Sequence, residues 1–73
     1  MDSEWAVVFS TTDIFKAEII KNMLLSNNIE AILMNQKDSS YHFGNIEIYT
    51  KKENLSKAEK IISEWFQMKI KTD

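Results

Sequence analysis

The chain has 73 residues, a formal net charge of −2, nine lysines without any arginine, and no cysteine. This length fits one domain, which we predict over residues 1–73 with an ordered core at about residues 4–68. The lack of cysteine excludes disulfides, cysteine-ligated zinc and a thiol nucleophile, and the acidic balance argues against electrostatic binding of nucleic acid.

The N-terminal segment and the distribution of apolar residues predict a cytoplasmic protein. Residues 1–4 are acidic and lack the basic start of a secretory signal. No apolar run approaches the roughly 20 residues that a membrane-spanning helix needs. We therefore expect neither a membrane nor a nucleic acid among the partners.

The first predicted element is a strand, and a helix follows it. Trp5–Phe9 is a short apolar run rich in β-branched and aromatic residues, which is typical of a strand. Its apolar residues occupy both alternating faces, so we expect a strand that is covered on both sides. Thr12 or Asp13 is expected to cap the helix, because either side chain can accept hydrogen bonds from the first free N–H groups.

The first helix is predicted over residues 14–26. Three residues at helical spacing form a core-facing stripe, namely Ala17, Ile20 and Leu24. Further apolar residues lie outside this stripe: Ile14, Phe15, Ile19, Met23 and Leu25. Either neighbouring elements wrap the helix or part of it contacts another chain. Asn27 and Asn28 are expected to end it, since asparagine tolerates the left-handed conformation.

Two more strands and a second helix complete the chain. Ile29–Met34 predicts the second strand, and Ile46–Tyr49 predicts the third, with Ile46 and Ile48 facing inward. Asn54 is a candidate cap for the second helix. Apolar residues cluster on one face of that helix: Leu55, Ala58, Ile61, Ile62, Trp65 and Phe66. This stripe favours a core role for Trp65 and Phe66 over a binding role.

The order strand, helix, strand, strand, helix predicts an α+β fold of the ferredoxin-like βαββα type. A right-handed crossover between the first two strands leaves a gap that an antiparallel third strand fills. We therefore expect a three-stranded antiparallel or mixed sheet of order 1-3-2, with both helices on one face. The first strand would lie at an open edge. A short fourth strand at residues 68–73 is an alternative end of the chain.

The chemically suggestive residues do not predict an enzyme. Asp38, Ser39, Ser40 and His42 are sequence neighbours, whereas the members of a catalytic triad must converge through hydrogen bonds. One histidine provides too few ligands for a metal site. RNA stacking on the sheet by Tyr49 with Trp5 or Phe9 is disfavoured by the acidic charge, and burial of that face in a dimer is favoured. We expect no catalytic residue, no cofactor and no metal.

The segment between the second and third strands is the candidate binding loop. It is dense in hydrogen-bonding side chains and aromatic residues: Asn35, Gln36, Lys37, Asp38, Ser39, Ser40, Tyr41 and Phe43. Loops beside a rigid sheet are frequent ligand sites. The alternative is a loop that satisfies its own hydrogen bonds through turns at Asp38 and Ser39.

The same segment resembles a small bacterial family called putative prokaryotic signal-transducing proteins. The resemblance is specific at residues 35–41, 43–44 and 46–49, and it extends to residues 17–21, 28–31 and 57–58. It covers the chain from about Trp5 to Trp65. Asn28 stands where glycine is common, but asparagine adopts the same backbone angles. The resemblance implies a ferredoxin-like, PII-like fold and a regulatory role, and it carries no catalytic residues.

We therefore predict a non-enzymatic regulatory or signal-transducing binding module that forms a homodimer and recognises an unidentified protein or small molecule. The alternative is a structural or protein–protein interaction domain. Such a domain would act through dimerisation or through pairing of an edge strand with another chain.

Overall fold

The computed structural model describes residues 4–36 and 45–71. Its elements are β1 (Trp5–Thr11), α1 (Ile14–Ser26), β2 (Ile32–Gln36), β3 (Asn45–Lys51), a 3-10 turn (Lys52–Asn54) and α2 (Leu55–Lys71). The sheet has the order β1-β3-β2, and β3 pairs antiparallel with both neighbours. The predicted α+β, ferredoxin-like βαββα arrangement is confirmed.

The core lies between one face of the sheet and the two helices. Its buried members come from α1, β3, α2 and the segment before β2: Ala17, Ile20, Leu24, Ile29, Ile46, Ile48, Ala58 and Ile62. The predicted stripe of α1 is confirmed, and so is that of α2 except at Leu55, with Trp65 and Phe66 packed against this core. Both helices therefore cover the same face of the sheet.

Local signals determine the bounds of α1, which match the predicted ones. Asp13 is the N-cap, and its carboxylate accepts hydrogen bonds from the backbone N–H groups of Phe15 at 3.0 Å and Lys16 at 3.3 Å. At the other end, Asn28 has a φ of 64°. This left-handed residue turns the chain so that the N–H of Ile29 donates to the carbonyl of Leu24 at 3.0 Å.

Bounds of all three predicted strands are wrong, because apolar residues can lie beside a strand without pairing in it and polar residues can pair. β1 extends to Thr11, and β2 ends at Gln36. β2 begins at Ile32, whereas Ile29 is buried in the core ahead of the strand. The buried hydroxyl of Thr50 donates to the carbonyl of Glu30 at 2.7 Å, which holds this approach segment against β3. β3 is longer than predicted, from Asn45 to Lys51.

The end of the chain continues the second helix. The 3-10 turn that ends at Asn54 leads directly into α2, which runs to Lys71. Residues 68–71 are therefore helical and add no fourth strand. Among the helices that the structure describes, none is both long and apolar enough to cross a membrane.

A register shift in β1 changes which of its residues face the core, and within the described part of the single chain only one side of this strand is covered. Val7 pairs with Tyr49 and Phe9 pairs with Ile48, so Val8 is an extra residue on the β1 side of the ladder. Such a bulge breaks the alternation of faces. Val8 and Phe9 consequently both pack against the core, whereas Val7 faces the opposite side of the sheet.

Much of the surplus apolar surface of α1 is exposed in the single chain. Phe15 is 78% exposed and Ile19 is 50% exposed, and only Met23 among the extra residues packs against the core. The alternative in which neighbouring elements wrap α1 is therefore wrong for Phe15 and Ile19, as far as the described elements are concerned.

Candidate functional site

The face of the sheet opposite the helices is the candidate site. Among the side chains that the structure describes, alternation along the paired strands places eight on it: Trp5, Val7, Ser10, Ile32, Met34, Glu47, Tyr49 and Lys51. We call this set the open sheet face. Neither helix covers it, because both helices pack on the other side.

A row of apolar side chains crosses the middle of the open sheet face. Tyr49 of the central strand pairs with Val7 on one side and with Ile32 on the other. Val7 is 41% exposed, Ile32 is 37% exposed and Met34, two residues further along β2, is 40% exposed. Adjacent side chains on paired strands lie about 5 Å apart, so these residues form one continuous patch.

Charged residues flank Tyr49 on the central strand. The Tyr49 hydroxyl donates a hydrogen bond to Oε1 of Glu47 at 2.9 Å. On the other side, Nζ of Lys51 lies 5.7 Å from the centre of the Trp5 ring and 3.7 Å from Oε1 of Glu30. β3 therefore presents an acid, an aromatic and a base in order along the open sheet face.

The carboxylate of Glu47 changes the acidity of Tyr49. The hydrogen bond to Glu47 raises the pKa of the phenol above its ordinary value of 10.0, and desolvation and the negative charge of Glu47 act in the same direction. All three causes disfavour the phenolate.

We expect Glu47→Gln to lower the pKa of Tyr49 towards its ordinary value, because glutamine keeps an acceptor oxygen but removes the charge. The raised pKa stabilises the fold below the pKa of the unfolded phenol, and this contribution disappears as pH rises through the folded pKa. Ultraviolet titration of the phenolate in a Tyr41→Phe background measures Tyr49 alone. An unchanged Tyr49 pKa in the Glu47→Gln variant would contradict the assignment of its cause to Glu47.

Most of the predicted binding loop lies outside the described residues. This applies to Lys37, Asp38, Ser39, Ser40, Tyr41 and Phe43, and also to His42 and Gly44. Asn35 and Gln36 are the last two residues of β2, where they pair with Ile46 and Asn45 of β3. The role of the loop therefore stays a prediction.

Within residues 4–36 and 45–71, no group of three or more His, Cys, Asp or Glu side chains is placed to hold a metal ion. A depression of about 350 Å³ lies beside the 3-10 turn and is lined by Glu4, Lys51, Lys52 and Glu53. Its lining contains two acids and two lysines, so its formal charges balance.

The open sheet face is only partly predictable from the sequence. The outward position of Tyr49 follows from the alternation of β3, and Trp5 shares its face. Phe9 does not, because the bulge directs it to the core. The predicted set of outward aromatic residues was therefore wrong for Phe9, and Val7, Ile32 and Met34 were missed.

An antiparallel sheet with two helices on one face and an open opposite face defines a small ferredoxin-like α+β domain. Residues 5–66 match the model of a family described as putative prokaryotic signal transducing protein, and the chain belongs to that family. The resemblance seen in the sequence is thereby confirmed. Neither the curated proteins nor the solved structures contain a match to the chain.

Proposed function

We propose that this protein is a non-enzymatic regulatory module that acts by binding another polypeptide through the open sheet face. The membership in a signal-transducing family supports a role in signalling. The bacterial and PII-like character that the sequence resemblance implies is part of this proposal, and so is the absence of catalysis.

The observation that carries the proposal is the exposed apolar row formed by Val7, Tyr49 and Ile32, with Met34 beside it. Scattered exposed apolar residues are normal on a protein surface, whereas contiguous patches mark interaction sites. The rigid backbone of three paired strands also holds these side chains in place. Binding therefore requires little ordering of the surface, which favours affinity.

Pairing of an edge strand with another chain is a second candidate mode, and the structure favours β2 for it. Both β1 and β2 are edge strands in the described sheet. β1 carries the bulge between Val7 and Phe9, and bulges discourage the addition of a strand. The described ladder of β2 with β3 has no such shift, so β2 offers the more regular edge.

The proposed function is tested with variants used as baits in an extract of a bacterium that carries this family. Val7→Asp places a charge in the apolar row, and Phe15→Asp places the same charge on an exposed apolar site of α1. We expect the wild type and Phe15→Asp to bind a polypeptide partner in stoichiometric amount, and Val7→Asp to lose it. The partner is either a different polypeptide or a further copy of this chain.

Other outcomes assign the binding elsewhere or reject it. Loss of the partner only in Phe15→Asp would place the binding surface on α1. Loss only in Lys37→Ala/Asp38→Ala would place it in the predicted loop. A wild-type chain that neither binds a polypeptide nor associates with itself would overturn the proposed function.

A further inference from the structure

The outward residues of β3 form a pattern that is complementary to itself. Glu47, Tyr49 and Lys51 follow each other at every second position of the central strand, with a negative charge before the aromatic residue and a positive charge after it. A half-turn about an axis that crosses the strands at Tyr49 exchanges the two charged ends. Two such faces brought together in this way place unlike charges opposite each other.

From this pattern we infer that the open sheet face binds a second copy of this chain. The inference rests on the proposed function, because it names the partner of the same surface. The two sheets pack face to face about a two-fold axis that runs along the row Val7–Tyr49–Ile32. Glu47 of each copy then lies opposite Lys51 of the other copy.

The charges select this orientation over the other symmetric one. A two-fold axis parallel to the strands would place Glu47 opposite Glu47 of the second copy and Lys51 opposite Lys51. Like charges that face each other in an interface disfavour association, so the axis across the strands is preferred. The ion pair of Lys51 with Glu30 competes only weakly, because it is 3.7 Å long and the Glu30 side chain is 64% exposed.

The apolar residues fit the same axis. A residue on the two-fold axis lies opposite the same residue of the second chain. Val7 therefore contacts Val7, and Ile32 contacts Ile32. The Tyr49 rings lie next to each other at the centre, where offset aromatic packing is favourable. Each apolar residue of the row thereby loses contact with water, and the interface is isologous as expected for a two-fold dimer.

The size of the domain supplies an independent reason for a second copy. A chain of about this length buries only roughly 60% of its unfolded surface, and small domains without disulfides or metals often gain stability by oligomerisation. This chain has no cysteine. Burial of a second sheet face would add apolar contacts that the single chain lacks.

Charge reversal combined with mixing tests the inference. We expect sedimentation equilibrium to show a dimer for the wild type, and Glu47→Lys and Lys51→Glu to weaken it roughly 10- to 100-fold each. An equimolar mixture of the two variants is expected to form a heterodimer about as tight as the wild-type dimer, because both cross-chain pairs regain unlike charges. The double variant Glu47→Lys/Lys51→Glu is expected to dimerise again by itself.

Two controls separate the interface from general effects of charge and folding. Lys57→Glu and Glu59→Lys alter exposed residues of α2 and are expected to leave the dimer unchanged. Thermal unfolding followed by circular dichroism verifies that each variant is folded. The mixture contains the same two variants that dimerise weakly when each is alone. Its recovery therefore reports the interface and not the fold.

Several results would overturn the inference, and they differ in their consequence for the proposed function. A wild-type chain that is monomeric at several hundred micromolar overturns the dimer, but the proposed function survives if Val7→Asp abolishes binding of a different polypeptide. Single variants that dimerise as well as the wild type, or a mixture that fails to recover, overturn the predicted axis. A dimer that is unaffected by Val7→Asp forms through another surface and overturns the inference, whereas the proposed function survives if Val7→Asp abolishes binding of a different polypeptide.

Discussion

Replacement of Ile20 by alanine is expected to lower the free energy of unfolding by about 2–5 kcal/mol. The same replacement at the adjacent Ile19 is expected to cost less than about 1 kcal/mol. The two residues have the same side chain and lie in the same helix, so they differ chiefly in burial. Ile20 is 0% exposed and Ile19 is 50% exposed.

The cost at Ile20 has two parts. Alanine removes apolar surface from the core, and it leaves a cavity because the surrounding helices and sheet relax only partly. The total stability of a domain of this length is about 4–11 kcal/mol, if each residue contributes roughly 0.05–0.15 kcal/mol. Loss of the Ile20 side chain therefore removes a large share of the stability. At Ile19, the better helix propensity of alanine offsets part of the small loss of contact.

Urea unfolding followed by circular dichroism measures both values by linear extrapolation. The experiment is performed at low protein concentration, because association of folded chains raises the apparent stability. Equal losses at Ile19 and Ile20 would contradict the placement of Ile19 outside the core. A loss at Ile19 that appears only at high concentration would instead indicate that a second chain covers it.

The helices were predictable because their signals are local. Asp13 precedes the helix and caps it, and Asn28 follows it with a positive φ, so the sequence marks both ends of α1. The apolar residues of α2 repeat at helical spacing, which is the pattern of an amphipathic helix. The start of β2 was not predictable from the sequence, because an apolar residue such as Ile29 fits a strand and a core position outside a strand equally well. Only tertiary packing decides between the two.

The bulge in β1 was not predictable for a related reason. Val7, Val8 and Phe9 are all apolar, so a change of face between them alters no pattern in the sequence, and no glycine marks the site. The apolar residues on both parities were interpreted as two covered faces. In the single chain, the helices cover one face, which each half of the strand reaches with a different parity, while Trp5 and Val7 lie on the open sheet face.

The candidate site was only partly predictable from the same information. Tyr49 and its charged neighbours alternate with the buried Ile46 and Ile48, so their outward direction follows from β3 alone. The exposure of Ile32 and Val7 depends on the register of three strands and on the bulge. Neither the register nor the bulge is encoded in a local sequence pattern.

The second large effect is expected at Phe66, whose ring connects α2 to the strand with the bulge. Its centre lies 5.8 Å from that of Phe9 and 4.9 Å from that of Trp65, and Nζ of Lys16 lies 5.8 Å from it. We expect Phe66→Ala to lower the free energy of unfolding by about 2–4 kcal/mol, slightly below the range for a fully buried aromatic residue. Met68→Ala in the same helix is the control, because Met68 is 65% exposed.

A double-mutant cycle between Phe9 and Phe66 then tests the bulge itself. Leucine at each position keeps an apolar side chain and removes the ring contact, so the cycle isolates the interaction of the two rings. We expect a coupling of about 0.5–1.5 kcal/mol, which is typical of aromatic pairs. Val7→Leu combined with Phe66→Leu is expected to give no coupling, since Val7 faces the other side of the sheet. A β1 strand that alternated regularly would place Phe9 on the side of Val7, and the coupling between Phe9 and Phe66 would then vanish.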